Sequence, residues 1–154
     1  MSRRQHTPRD PDFAHRCRAS CAAQPAMSRL FGGEMTVIEP GYCEIRINSQ
    51  PDFLQQMGNF HGGIVGALAD SAAGYAALSL LAPGLEVVTV EYKISFLAPA
   101  FGEYLVGRGE VLRAGRTLQF CSADIFAVQD GVEKAVAQMT TTMMAVPDPK
   151  TKTV

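Results

Sequence analysis

Residues 55–63 form the segment of this chain whose residue types and spacing are best suited to chemistry. His61, Gly62 and Gly63 directly precede an apolar run, so the segment is predicted to begin a helix. The first N–H groups of a helix have no acceptor within the helix, and glycines let a ligand approach the backbone closely. The segment therefore predicts a site for an anion or for the oxyanion of an acyl-transfer reaction. It matches neither glycine-rich pattern for nucleotide phosphates, so the anion need not be a nucleotide.

Asp70 is the second residue that suggests chemistry, because it is the only charged residue between positions 62 and 85. An unpaired carboxylate is costly to bury in an apolar helix. One interpretation is structural: Asp70 accepts hydrogen bonds from a neighbouring chain or lies on a solvated stripe with Ser71 and Tyr75. The other is functional, with Asp70 as a general base or nucleophile. For His61, a capping or packing role is favoured over catalysis by its ring.

The spacing of Gly62 and Asp70 limits how they can act together. Eight residues of helix, at about 1.5 Å rise per residue, place them about 12 Å apart. The two residues of one chain therefore cannot serve a single carbonyl group. If both act on one substrate atom, the amide and the carboxylate must come from different chains of a twofold dimer with two composite sites.

The helix that starts directly after Gly62 and carries Asp70 is predicted over residues 63–81. It is apolar on nearly every face, which is typical of a helix buried within a domain. Its length approaches that of a membrane span, but three glycines and the central aspartate argue against insertion in a bilayer.

The rest of the chain is predicted to be mainly strands. Alternating apolar and polar residues predict a hairpin around the Pro40-Gly41 turn and then four strands joined by short turns, over residues 35–39, 42–48, 88–96, 103–112, 117–128 and 133–146. Short turns require antiparallel neighbours. A short helix, capped by the Asp12 side chain and ending near Ala23, precedes them. The result is an α+β domain with one helix against one face of an antiparallel sheet.

Length and composition limit the possible partners. The chain has 154 residues, enough for one domain, and its net charge of −1 lacks the basic excess of a nucleic-acid-binding protein. Four scattered cysteines without a C-x-x-C pair favour reduced thiols and no metal site. The arginine-rich amino terminus has no apolar run behind it, so we interpret it as a cytoplasmic leader.

Several short motifs resemble one known family, the hotdog-fold acyl-CoA thioesterases of the phenylacetate-degradation and 4-hydroxybenzoyl-CoA types. The resemblance covers about residues 27–146 and rests on Gly58-x-x-His61-Gly62-Gly63, Leu68-Ala69-Asp70, Thr89-x-Glu91, Phe96-Leu97-x-Pro99 and Gly115-Arg116-Thr117. It implies a hotdog fold, in which an antiparallel sheet wraps around one long buried helix. The implied division is a leader at 1–26 with a short helix, a thioesterase domain at 27–147 and a tail at 148–154.

The resemblance also implies catalytic roles for five residues. The Gly62 amide would polarise the thioester carbonyl, and Asp70 of the facing subunit would act as nucleophile or as base for water. His61 would orient the start of the helix or contact the thioester. Gln55 matches a side-chain amide position, although this chain combines it with Asp70 where the glutamine branch of the family has Glu. Thr89 matches a hydroxyl that holds the attacking water.

Further residues are implied in binding the substrate. Contacts to coenzyme A or to the acyl group are expected at Asn59, Gly63, Tyr75, Arg113, Gly115, Arg116 and Thr117. Arg113 and Arg116 would pair with phosphates, although they are equally interpretable as ordinary turn arginines. Candidates for the wall of the acyl pocket are Leu54, Met57, Phe60 and Tyr75.

The implied function is hydrolysis of an aryl- or medium-chain acyl-CoA to a free acid and coenzyme A, without cofactor or metal. The expected assembly is a homodimer or a dimer of dimers, with no nucleic-acid or membrane partner. Two alternatives remain open at this point. One is a hotdog hydratase or dehydratase of acyl thioesters, whose histidine loop and glutamate motif are missing here. The other is a non-catalytic acyl-CoA-binding protein, against which Asp70 argues.

Overall fold

A computed structural model describes residues 3–151, so the first two residues of the predicted leader and the last three of the predicted tail lie outside the described residues. Two α-helices and six strands make up most of this part of the chain. In chain order they are α1 (Phe13–Ala23), β1 (Glu34–Glu39), β2 (Tyr42–Asn48), α2 (Gly62–Leu78), β3 (Leu85–Phe96), β4 (Tyr104–Ala114), β5 (Leu118–Gln129) and β6 (Val132–Pro147). This order matches the prediction.

The six strands form one antiparallel sheet in the order β1-β2-β4-β5-β6-β3. Strand β3 follows α2 in the chain but lies at the far edge of the sheet, beside β6. It has 12 residues, and its register shifts between Thr89 and Glu91, which leaves Val90 as an extra residue in a bulge. The hotdog fold implied by the resemblance is confirmed.

Helix α2 packs against the inner face of the sheet with buried residues on nearly every side. Small side chains let it approach the strands closely, and Ala72 and Ala73 are fully buried against β4. At Gly109 of β4, an added Cβ atom would overlap the backbone of Ala72 and Ala73. Glycine is therefore required at this position if the helix is to lie at its observed depth.

Helix α2 ends at Leu78, three residues before the predicted end. The chain turns before Pro83 through two 3₁₀-type hydrogen bonds between residues three apart. The N–H of Leu80 donates to the carbonyl of Ala77, and the N–H of Leu81 donates to the carbonyl of Leu78. The Arg16 guanidinium of α1 donates to the carbonyls of Leu78 at 3.1 Å, Leu81 and Ala82. These bonds satisfy acceptors that the helix end leaves free.

Helix α1 packs on the domain through Cys17 and Cys21, which are both buried. The predicted cap by the Asp12 side chain is wrong, because that side chain makes no capping bond. Asp10 instead accepts a hydrogen bond from the Asp12 N–H at 2.9 Å and pairs with Arg16 at 3.1 Å. No helix within residues 3–151 is long and apolar enough to cross a membrane.

Replacing Gly109 by alanine is expected to lower the free energy of unfolding by about 1–3 kcal/mol, because the new methyl group displaces the α2 backbone. Gly74→Ala is the matched control, since an added Cβ there has its nearest neighbour, the Met143 methyl group, at 4.0 Å. The control should be neutral or slightly stabilising, because alanine favours a helix more than glycine does. Denaturant melts of both variants test this, and equal stability would contradict the close approach.

Candidate active site

The N-terminus of α2 presents one backbone N–H group to solvent. His61 precedes the helix in an extended conformation, and its Nδ1 atom accepts a hydrogen bond from the Gly63 N–H at 3.0 Å. Its carbonyl accepts from the N–H of Ile64 at 2.9 Å. Within residues 3–151, the Gly62 N–H has no acceptor. The histidine ring thus caps the helix and leaves the Gly62 amide available to a ligand.

A compact turn holds the residues before this amide. The N–H of His61 donates to the carbonyl of Phe53, and the N–H of Gln55 donates to the carbonyl of Asn59, both at 2.8 Å. The Gln55 side-chain oxygen accepts from the Met57 N–H. Gln55 is therefore partly used in stabilising its own turn, and its side-chain NH2 group is the part left for a substrate.

A cleft of about 440 Å³ opens beside the Gly62 amide, and we call it the Gly62 cleft. The Phe96 ring lies across it, because a Cβ added at Gly62 would be 3.1 Å from the ring edge. Phe96 is itself 56% exposed. The predicted site residues Gln55, Asn59 and Gly62 line this cleft, together with Met57 and Phe60 of the proposed acyl wall. Leu54 does not line it.

Asp70 lies in a different cavity, of about 190 Å³, which we call the Asp70 cavity. The Thr89 hydroxyl of β3 donates to the Asp70 carboxylate at 2.8 Å. In the part of the chain that the structure describes, Asp70 forms no ion pair. Helix α2 also contributes Ser71 and Tyr75 to the wall. The structure therefore joins Asp70, Thr89 and Tyr75 but keeps them apart from Gly62.

The Gly62 cleft and the Asp70 cavity share no residue and lie towards opposite ends of β3. Phe96, the last residue of β3, lines the first, whereas Val87 and Thr89 line the second. Between them the strand exposes Val90 and Tyr92, each half accessible to solvent. One chain thus carries the two groups of predicted site residues towards opposite ends of one edge strand.

The predicted coenzyme A loop is the turn between β4 and β5. Gly115 is required there, because an added Cβ would overlap the Leu118 carbonyl, to which the Gly115 N–H donates at 2.9 Å. The Thr117 carbonyl accepts from the Ala145 N–H of β6. Arg113 and Arg116 are exposed and form no ion pair with any described residue.

The loop lies at the Asp70 end of the sheet. Leu118 pairs with Met144 of β6, and Met144 pairs with Val88 of β3, the neighbour of Thr89. The predicted residues thus form two groups in one chain, because Gly62 lies at the other end of β3.

Helix α1 contributes two residues that sequence reasoning missed, Ser20 and Gln24, which line the Asp70 cavity. The prediction placed α1 in a leader outside the thioesterase domain. Cys17 and Cys21, spaced four apart, form an apolar stripe that could have indicated packing against the domain.

The cysteines are not suited to nucleophilic or metal chemistry in this state. Burial raises the pKa of Cys17 and of Cys121, each to about 12, so both thiols stay protonated near neutral pH. Within residues 3–151, no group of three or more histidine, cysteine or acidic side chains could hold a metal ion.

The six-stranded sheet and the buried helix define a protein of the hotdog thioesterase class. A thioesterase family protein from Silicibacter pomeroyi has a similar structure, with a TM-score of 0.86 and 42% identity over 88% of this chain and 99% of that one. A phenylacetic acid degradation-related protein from Ralstonia eutropha has a TM-score of 0.73 and 30% identity, covering 86% and 98%.

The family profile described as the thioesterase superfamily matches residues 57–134. Human acyl-coenzyme A thioesterase 13 is 33% identical over 113 residues, which is 69% of this chain and 76% of the human protein. The mouse protein of that name is 33% identical over 97 residues, and the chain spans 66% of its length. The chain belongs to the thioesterase superfamily. This confirms the predicted family and supports the predicted hydrolase class.

Two substitutions of His61 distinguish a role in capping the helix, which positions the Gly62 amide, from participation of the imidazole in the reaction. His61→Ala should lower kcat/KM by about tenfold or less, because a lost cap costs about 0.5–2 kcal/mol and loosens the Gly62 amide. His61→Asn should restore most of that loss, because asparagine is a good cap. Thioester hydrolysis by both variants is the measurement. Equal and severe loss in both would mean that the imidazole itself takes part in the reaction.

Proposed function

We propose that this protein is a thioester hydrolase that converts an acyl-CoA to a free acid and coenzyme A. The family membership and the names of its relatives support this activity. The observation that carries the proposal is the combination on α2 of a free helix-start amide at Gly62 and a carboxylate at Asp70 that no described cation neutralises. Acyl transfer uses these two groups together, one to bind an oxyanion and one to attack or activate water.

The working unit in this proposal is a twofold dimer formed through the β3 edges. A 12-residue edge strand with exposed apolar side chains is a template for pairing with another chain. Antiparallel pairing about a twofold axis places the Thr89 end of one β3 beside the Phe96 end of the other. The Asp70 cavity of one chain then faces the Gly62 cleft of its partner, which gives two composite sites.

In each composite site the Gly62 N–H of one chain donates to the thioester carbonyl oxygen, and the positive end of α2 stabilises the developing charge. Asp70 of the other chain, held by the Thr89 hydroxyl, either takes a proton from water or attacks the carbonyl carbon itself. Direct attack forms a mixed anhydride that water then hydrolyses.

Both routes have the same overall balance. One oxygen of water becomes bonded to the acyl carbon, the carbon–sulfur bond breaks, and a proton from water passes to the thiolate of coenzyme A. No external oxidant or reductant is required, and the proposal includes no cofactor.

The exposed turn between β4 and β5 is proposed to hold the nucleotide of coenzyme A. Arg113 and Arg116 have no described ion-pair partner, and guanidinium groups bind phosphates through paired N–H donors. Gly115 and Thr117 shape the turn that presents them. A homodimer or dimer of dimers, a cytoplasmic location and the division at residues 26 and 147 remain predictions of the sequence.

The role of Asp70 gives the direct test of this activity. Asp70→Asn should lower the turnover of acyl-CoA by about 100-fold or more, because the amide keeps the volume of the side chain but cannot act as base or nucleophile. Asp124→Asn is a matched control, since Asp124 lies on the sheet and, among the described residues, its side chain accepts a hydrogen bond only from Gln138. Hydrolysis and thermal melting should be measured together.

Two outcomes would contradict the proposal. A folded Asp70→Asn protein with nearly normal turnover would remove Asp70 from the mechanism. Loss of the fold in this variant, with Asp124→Asn unaffected, would show that Asp70 is a structural residue.

A further inference from the structure

A groove continues from the Asp70 cavity along helix α1. It has a volume of about 650 Å³ and lies between α1, the start of β3 and the carboxyl-terminal turn Pro149–Thr151; we call it the α1 groove. Its walls include Ala19 and Ala23 of α1 and Pro149. Four residues line both the α1 groove and the Asp70 cavity, namely Ser20, Gln24, Tyr75 and Glu86. The two spaces are therefore neighbours that meet at one junction.

Tyr75 and Gln24 are in contact with each other at this junction. Tyr75 is only 7% exposed, and its hydroxyl is 3.5 Å from the Gln24 side-chain oxygen. This distance is at the long limit of a hydrogen bond, so the contact is weak. Gln24 is exposed and follows the last residue of α1, so its side chain has room to move aside. The junction can therefore open without disturbing the buried core.

The sizes of the two openings indicate which part of an acyl-CoA reaches this junction. The Asp70 cavity, at about 190 Å³, is smaller than a site for a drug-sized molecule and cannot pass a nucleotide. We therefore place the acyl group in the Asp70 cavity and coenzyme A in the wider Gly62 cleft of the partner chain, where Met57 and Phe60 would contact coenzyme A and not the acyl group. A linear acyl chain that outgrows the Asp70 cavity has the α1 groove directly ahead of it.

We propose that the α1 groove holds the distal part of a linear acyl chain, and that the Gln24–Tyr75 pair is the gate that such a chain must pass. The inference rests on the proposed function and specifies its substrate class as linear acyl-CoA of medium or greater length. The alanines and the proline supply apolar contact along the chain. The other walls include the polar or charged residues His15, Arg16, Glu86, Asp148 and Lys150. Long side chains of this kind can lay their methylene stems along an acyl chain and keep their charged ends in water.

The test fills the groove without changing the Asp70 cavity. Ala19 lines only the groove and is exposed, so Ala19→Phe should fold normally and block the path of a long chain. Ala22→Phe is the matched control, because Ala22 is an exposed alanine of α1 outside both cavities. The measured quantity is the ratio of kcat/KM for dodecanoyl-CoA to kcat/KM for butanoyl-CoA.

The ratio should fall by about tenfold or more in Ala19→Phe and stay unchanged in Ala22→Phe, since lost or blocked methylene contacts are worth this much in a substrate pocket. An unchanged ratio in Ala19→Phe would overturn the groove proposal. So would an unmodified protein that hydrolyses butanoyl-CoA but not dodecanoyl-CoA, although acyl-CoA hydrolysis itself would then stand. An unmodified protein that hydrolyses no acyl-CoA would overturn the proposed function, and this inference with it.

Discussion

One buried helix carries both of the groups proposed to react, and its regularity keeps them apart. Eight residues of α2 separate Gly62 from Asp70 by about 12 Å, and close packing against Gly109 and the other sheet residues leaves no freedom to bend the helix. A single chain can therefore bind an oxyanion or supply a carboxylate at a given point, but not both. In the proposed dimer the edge strand β3 joins the two groups, because it reaches both cavities and, within residues 3–151, pairs only with β6.

Most of the fold could be predicted because its signals are local. The alternation of β3, the glycine turns of the hairpins and the apolar run of α2 are each visible in residues that are close together in the sequence. The end of α2 was predicted three residues late because Leu80 and Leu81 continue the apolar pattern. The helix ends there because of the i→i+3 backbone hydrogen bonds and the contact with the Arg16 guanidinium. Arg16 is distant in the sequence, so no residue near Leu78 indicates this contact.

The candidate site could be predicted in part for the same reason. The free amide of Gly62 follows from its place at a helix start, and the spacing to Asp70 follows from helix geometry. The contact between Thr89 and Asp70 could not be predicted from residue spacing in the sequence, because it depends on the position of β3 at the far edge of the sheet. The role of Gln24 as a wall of the Asp70 cavity was missed because α1 was assigned to a leader.

The central claim, that each site joins two chains, is tested most directly by mixing two inactive variants. Gly62→Pro removes the amide, and His61 already has the extended backbone that precedes a proline; Gly62→Ala controls for contact with Phe96. When Gly62→Pro and Asp70→Asn are refolded together in equal amounts, about half of the dimers contain one chain of each variant. Each mixed dimer has one intact site of two, so roughly a quarter of wild-type activity should return. Activity that stays at the level of the single variants, with mixed dimers present, would contradict the composite site.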